Sequence, residues 1–283
     1  MSAHPTIRPA DGNCKQLTLR LAAFADFKDN PRVENSNPSP ADGRILVIVP
    51  AHNESQNLPS VMEDLARHVP RADVVVVDDA SRDSTVAVAL SLGAKVLRLP
   101  CNLGVGGAMQ TGYLYAARNR YDVAIQFDGD GQHRGVCIAG LLEAIRDRQA
   151  DLVIGSRMVD GMRFRFHPLR LIGSRLLSFL VSLIVRHKVT DPTSGFRAAS
   201  GRAIRFFASH YPQTYLGDTV EALVWAGRQG MKIVEVPARM NQRFAGESAT
   251  GSLKGFWLTM RIILAVLVDC LEPQIREDQE PKP

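Results

Sequence analysis

Little in this chain invites a reading as a metal-stapled, secreted or membrane-spanning protein. Its four cysteines, Cys14, Cys101, Cys137 and Cys270, stand far apart without any CxxC pair. Neither a zinc site nor a disulfide framework is indicated, and a reducing cytosol fits best. The first residues lack the basic start, apolar middle and small-residue cleavage site of a secretory signal. No uncharged apolar run reaches the roughly 18 residues of a spanning helix, so the protein is not expected to cross a membrane by itself. No internal repeat is visible. A strong excess of one charge is missing too: the net charge is +5 and the pI about 9.2, which suits phosphate-bearing partners or an anionic surface but decides nothing. No feature calls for a nucleic acid.

What is present is ordinary globular composition, 45% hydrophobic and 22% charged, and enough chain to bury a sizeable core in one large domain. Residues 1–43 scatter Pro, Asn, Ser and Asp around the weakly apolar stretch Leu17 to Phe27 and read as a mobile arm with room for a short helix. Apolar runs at Ile45 to Val49, Val74 to Val77, Lys95 to Leu99, Val123 to Phe127 and Leu152 to Ile154 predict buried strands, with a last one at Lys232 to Val236. Helical spacing over Leu58 to Val69, Ser84 to Leu92, Ala108 to Arg118 and Ile138 to Arg148 alternates with them. That pattern predicts an α/β fold, a largely parallel sheet with helices on both faces. In such sheets the ligand sits beyond the carboxyl ends of the strands, so the residues following each strand carry the functional information.

Those positions are rich in acids and glycines. Asp128-Gly129-Asp130-Gly131-Gln132-His133 follows the strand ending at Phe127 and offers two carboxylates and an amide oxygen, a donor set suited to Mg²⁺ or Mn²⁺ shared with a diphosphate. Taken alone, DGDG is equally a turn. Pro50-Ala51-His52-Asn53-Glu54 and Asp78-Asp79-Ala80-Ser81 follow two more strands, where acids can accept from base N–H groups and ribose hydroxyls. Ser81 and Asp83 read as helix caps, Asp79 as a ligand-binding group. Asn102, Gly104, Gly106 and Gly107 form a glycine-rich segment at a helix start. Met109 takes the third glycine position of a dinucleotide fingerprint, and the segment follows the third strand, which argues against a dehydrogenase.

In their order and spacing, VPAHNE, VVDDAS, NLGVGGA, FDGDGQH, VIGSR and DPTSGFR resemble the family 2 glycosyltransferases, and most of all dolichyl-phosphate mannose synthase and related polyprenyl-phosphate glycosyltransferases. The likeness covers roughly residues 44 to 250. It implies a GT-A fold with a nucleotide-sugar-binding half, 44–155, and an acceptor half, 156–250. It also implies an inverting, single-displacement transfer of a hexose from a GDP-, UDP- or dTDP-linked sugar to a polyprenyl phosphate, dolichyl or undecaprenyl. By position in the motifs, Asp128, Asp130 and Gln132 fall on a divalent metal, Mg²⁺ or Mn²⁺. Pro50, His52, Glu54, Asp78, Asp79, Asn102, Gly104 and Gly107 fall around the nucleotide sugar, His52 standing where relatives often carry an aromatic residue.

Arg157, Arg170, Ser174 and Ser248 match the acceptor-phosphate side, where planar guanidinium forks suit phosphate oxygens. Arg243, Gly246 and Ser248 resemble a mobile loop that closes on the diphosphate and excludes water. Asp191, in the DPTSGFR segment, is a candidate base if the acceptor is a hydroxyl. A phosphate monoester is already anionic at neutral pH, in which case Asp191 is structural or orients Arg170. Two alternatives stay open: a family 2 transferase acting on a glycan or saccharide-lipid hydroxyl, and an inactive nucleotide-sugar-binding protein.

After Pro168, Arg170, Ser174, Ser178, Ser182 and Arg186 recur every fourth residue among Leu, Ile, Val and Phe, which predicts an amphipathic helix over Leu169 to Arg186. Its uncharged stretch, Leu176 to Val185, is too short to span a bilayer but can lie in the interface; a buried core helix fits the same periodicity. Phe256 to Leu271, with Trp257, predicts a second interfacial helix or a docking surface within 251–271, before a charged tail, 272–283. The expectation is a peripheral or monotopic protein at the cytoplasmic membrane face, for which a small membrane-protein partner could supply an anchor.

Overall fold

In the computed structural model the described residues are 43–159, 168–212, 218–241, 260, 261, 263 and 264, with 168–172 described by backbone only. Residues 1–42 of the N-terminal arm and the tail lie outside this set, as do most of the helix expected over Phe256 to Leu271 and the segment with Arg243, Gly246 and Ser248.

The strands are β1 (Ile45–Ala51), β2 (Asp73–Asp78), β3 (Lys95–Arg98), β4 (Val123–Gln126), β5 (Leu152–Ser156), β6 (Arg197–Ser200) and β7 (Ile233–Pro237). They form one sheet in the order β3-β2-β1-β4-β6-β5-β7. Alternation along β1 explains how both faces are covered. Leu46 and Ile48 join one apolar core; Val47 and Val49 join the other. The second core receives α1 (Leu58–His68), α2 (Thr85–Ser91) and α4 (Ile138–Asp147). The first receives α3 (Gly104–Arg118), α5 (Pro168–Val185), α6 (Gly201–Ser209) and α7 (Asp218–Arg228). Helix α1 shows the local logic: Pro59 stands in its first turn, Leu58, Val61 and Leu65 turn inward, and Arg67 lies in the last turn, where a cation complements the helix dipole. Gly112 lets α3 lie against β1, since a Cβ there would stand 2.4 Å from Ile48 Cγ2.

Every expected strand is present, to within a residue or two at its ends. Three elements carry no clear signal in the sequence: β6, α6 and α7. The strand Arg197-Ala-Ala-Ser is short, poor in β-branched residues and opens on a charge; it is a strand because it fills the gap between β4 and β5, antiparallel to both. Helix α3 begins at Gly104, a turn earlier than expected from Ala108. Cys101 is disulfide-bonded, where the spacing of the cysteines indicates no disulfide framework, whereas Cys137 is free.

The topology positions the site. β1 pairs in parallel with β2 and β4, β2 with β3, and β5 with β7. Because β6 runs opposite to β4 and β5, its beginning lies at the edge where the other strands end. The segments after β1, β2, β3, β4 and β5, and the DPTSGFR segment before β6, therefore share one rim.

Candidate active site

The nucleotide side of the rim is braced by its own polar groups. His52 Nδ1 lies 2.7 Å from the Asp79 carbonyl, and Asn102 Nδ2 lies 3.2 Å from the same ring nitrogen. Asp79 reaches across the rim to the start of α3: its two carboxylate oxygens accept from the backbone N–H groups of Leu103 (2.6 Å) and Gly104 (2.9 Å). This is capping delivered from another strand end, satisfying orphan N–H groups of α3 and placing a negative charge at its positive end. Burial raises the pKa of Asp79 and outweighs those two donors. Gly104 sits at φ +78°, a left-handed turn that a side chain would strain, and Asn102 Oδ1 accepts from its N–H at 3.1 Å. Gly107 is buried in α3, where an added Cβ would meet Leu103 Cβ at 2.4 Å.

Asp78 is fully buried: Oδ1 accepts from Ser81 N–H at 3.3 Å, and Arg98 Nε lies 3.9 Å from Oδ2. Pro50 is likewise buried. Glu54 accepts from Asn57 Nδ2 at 2.6 Å, and its own N–H donates to Thr85 Oγ1 at 2.9 Å. Asp83 caps the start of α2 through Thr85 N–H at 2.9 Å, and Ser81 Oγ accepts from Asn53 N–H at 2.9 Å.

After β4 the acidic turn is held from beneath. His133 is buried between Phe196, stacked at 4.9 Å, and Phe127, edge-on at 5.5 Å, and its Nε2 lies 2.9 Å from Asp128 Oδ2. Gln126 Nε2 donates to Asp128 Oδ1 at 3.3 Å. Partial burial pushes the Asp128 pKa up, but the charge and hydrogen bond of His133, then Gln126 and Arg157, hold it below the ordinary carboxylate value. Asp130 Oδ1 accepts from Gln132 N–H at 3.0 Å, and Asn241 N–H donates to the Gln132 carbonyl at 2.8 Å, which ties the end of the turn to the segment after β7. Among the described residues no three His, Cys, Asp or Glu side chains gather as a metal cage. The turn offers oxygen donors only, from two carboxylates and an amide.

After β5, Arg157 meets Asp191 from the loop before β6. Arg157 Nε donates to Asp191 Oδ2 at 2.6 Å and Nη2 to Oδ1 at 2.7 Å; the Arg157 backbone N–H adds a third bond at 3.1 Å. Burial pushes the Asp191 pKa up, but this guanidinium outweighs it and holds the carboxyl ionised. Both carboxylate oxygens of Asp191 are thus engaged by Arg157. The side chain of Arg170 lies outside the described residues. Ser174 lies partly buried on α5, while Ser178 Oγ donates to the Thr190 carbonyl at 2.9 Å, so the polar stripe faces the loop that carries Asp191.

Two residues of this rim are given no role by the sequence motifs, although Arg197 closes the DPTSGFR segment. Arg197 is buried, and its guanidinium donates to the carbonyls of Ser194 (2.7 Å), Thr219 (2.6 Å) and Pro192 (2.8 Å), pinning the DPTSGFR loop to α7. Glu235, inside β7, accepts from Thr190 and Asp191. For Glu235 the signal is a charge within an otherwise apolar strand; for Arg197 it is its place at the end of the DPTSGFR segment.

The profile of glycosyl transferase family 2 matches residues 46–209. The undecaprenyl-phosphate mannosyltransferase of Micrococcus luteus is 36% identical over 215 residues, covering 72% of this chain and 86% of that protein. The polyprenol monophosphomannose synthase of Mycolicibacterium smegmatis is 32% identical, covering 72% and 80%. Among solved structures, glucosyl-3-phosphoglycerate synthase of Mycobacterium tuberculosis, in complex with Mn²⁺, UDP-glucose and phosphoglyceric acid, superposes with a TM-score of 0.63 at 21% identity over 82% of each chain. The likeness in structure is one of fold, GT-A.

Proposed function

This chain belongs to glycosyl transferase family 2, and from that premise we propose that it moves a hexose from a nucleotide sugar to a polyprenyl phosphate, with inversion, at the cytoplasmic face of a membrane. The observation that carries the reading is the meeting of two chemistries on one rim: the acidic turn after β4 and the Arg157–Asp191 pair after β5, on either side of β6. The names of the relatives, an undecaprenyl-phosphate mannosyltransferase and a polyprenol monophosphomannose synthase, support the acceptor.

The donor set after β4 fits a hard divalent cation, Mg²⁺ or Mn²⁺. Asp128, Asp130 and Gln132 would hold it, and all are oxygen donors that leave positions for phosphate. Such an ion would neutralise the charge that gathers on the departing nucleoside diphosphate. His133 keeps Asp128 oriented and ionised for that role. His52, Asn102 and Glu54 line the rim on the donor side, with Asp79 fixing the start of α3 beside them; a GDP, UDP or dTDP base is compatible with this set.

In the transfer, an oxygen of the acceptor phosphate forms a bond to the anomeric carbon as the bond from that carbon to the diphosphate oxygen breaks. The acceptor is already anionic, so no base is required, and Asp191 serves to hold Arg157. Arg157, with Arg170, Ser174 and Ser248, receives the acceptor phosphate. Arg243, outside the described residues, would meet the diphosphate. Catalysis is then positioning and charge stabilisation.

Helix α5 supports the membrane reading. Leu177, Val181 and Val185 are buried, whereas Leu176, Phe179 and Leu183 form an exposed row, 43%, 65% and 68% accessible, with exposed Arg175, Arg186 and Lys188 around it. Apolar residues ringed by cations suit an anionic bilayer surface. Among the described residues no helix is long and apolar enough to cross a membrane.

The test is incubation with Mg²⁺ or Mn²⁺, polyprenyl phosphate and a panel of radiolabelled nucleotide sugars. Label should enter the organic phase for one donor and vanish in Asp130→Ala. Release of nucleoside diphosphate without lipid label would assign a hydroxyl acceptor instead, and no turnover with any donor would leave a binding protein.

A further inference from the structure

We propose that Glu235 is the positioning residue that aims Arg157 at the acceptor phosphate; the proposal rests on the acceptor reading of Arg157 given above. Glu235 Oε1 accepts from the backbone N–H groups of Thr190 (2.8 Å) and Asp191 (2.9 Å), and Oε2 accepts from the Thr190 hydroxyl (2.8 Å). These bonds fix the two peptide units from which the Asp191 side chain projects. That side chain then grips Arg157 through Nε and Nη2.

The same carboxylate also reaches the other flank of Arg157. Thr190 Oγ1 lies 3.0 Å from Ser156 Oγ, and Ser156 Oγ accepts from Met158 N–H at 3.2 Å. Glu235 thus braces the residues before and after Arg157 as well as its carboxylate partner. Asp191 lies 34 residues from Arg157 in sequence, so no local turn holds the pair in register. An anchor on the adjacent strand β7, paired with β5 from Leu152–Ile233 to Ser156–Pro237, does so instead.

The chemistry of substitution separates aim from mere stability. In Glu235→Gln the amide oxygen still accepts both backbone N–H groups and the NH₂ donates to the Thr190 hydroxyl, which turns its own O–H to Ser156, so both bonds that hold the loop backbone are kept. In Glu235→Ala all three bonds are lost and the loop carrying Asp191 is free to shift. A shift of about 1 Å at a reacting group costs on the order of a hundredfold in rate.

Steady-state kinetics with undecaprenyl phosphate in detergent, using the donor found active, make the test. Glu235→Ala is expected to raise the KM for undecaprenyl phosphate about tenfold to a hundredfold with the donor KM unchanged. Glu235→Gln should stay near wild type, and Glu235→Ala should add little in an Arg157→Lys background. If Glu235→Ala does not fold, Glu235→Asp, one methylene short of the loop, carries the same comparison. Equal changes in donor and acceptor KM, or full additivity with Arg157→Lys, would overturn the proposal in favour of a purely structural carboxylate. An acceptor KM raised by Arg157→Lys but not by the Glu235 variants would overturn the role of Glu235 alone. An acceptor KM untouched by Arg157→Lys would remove the acceptor reading of Arg157 and the proposal with it.

Discussion

Asp218 is a carboxylate that the fold holds at a cost, and replacing it should stabilise the protein at neutral pH. It opens α7 and is 7% exposed; its Oδ2 finds no hydrogen-bond donor among the described residues. Burial raises its pKa to about 6, with the charges of Asp128 and Glu221 acting in the same sense, while Arg197 and the Thr219 N–H oppose it. A carboxyl raised in the folded state binds its proton more tightly there than in the unfolded chain. Folding is therefore favoured at low pH, loses stability as pH rises from about 4 to about 6, and carries a constant cost above that range. The rise from 3.8 to about 6 corresponds to roughly 3 kcal/mol at about 1.4 kcal/mol per pH unit.

Asn mimics the protonated acid and cannot ionise. Asp218→Asn should match the wild type near pH 4 and exceed it by roughly 3 kcal/mol at pH 8. In urea this is a midpoint about 1 M higher, for a slope near 3 kcal/mol per M. Urea titrations of both proteins at pH 4.5, 6 and 8 decide the matter. A variant no more stable than wild type at pH 8, or a difference independent of pH, would refute the reasoning.

Three further outcomes are expected. Arg157→Met should destabilise the protein by about 3–5 kcal/mol, because it strands the Asp191 carboxylate, whose side chain is 3% exposed, without its cation. Since Asp191 has a depressed pKa, that loss should be seen above the ordinary carboxylate range and shrink as pH falls through the folded value, which thermal melts at pH 3 and 7 can check. Gly112→Ala should cost about 1–3 kcal/mol in chemical denaturation, as its Cβ would stand 2.4 Å from Ile48 Cγ2 in a packed interface. Replacing Phe179 and Leu183 together by Ser should weaken cosedimentation with anionic vesicles about tenfold to a hundredfold while the melting temperature stays unchanged, since both side chains are exposed.

The parallel half of the fold is legible because each of its strands is a short apolar run closed by acids or glycines, and α1 to α4 keep helical spacing between them. The rim is legible for the same reason: in a parallel sheet, the segments after the strands must all lie at one edge. β6 is hidden because its Arg-Ala-Ala-Ser sequence has no strand character of its own and is recruited by its neighbours. α6 announces itself only by Ser200, whose Oγ accepts from Ala203 N–H at 3.5 Å, and by the inward set Ala203, Ile204, Phe206 and Phe207. The motifs pick out Arg157 and Asp191, but their pairing is a contact between distant segments that spacing cannot reveal; the sequence suggests Arg170 as the partner of Asp191 instead. Asp78 and Asp79 look alike in sequence and differ in place, one sealed under the rim and one capping α3.

The most direct test of the central claim sets undecaprenyl phosphate beside undecaprenol as acceptors for the same labelled donor, with Arg157→Lys alongside. Transfer to the phosphate alone, weakened in the variant, is the predicted result. Transfer to the alcohol at a comparable rate would contradict it, for then a base is required and an acceptor anion held by Arg157 is not.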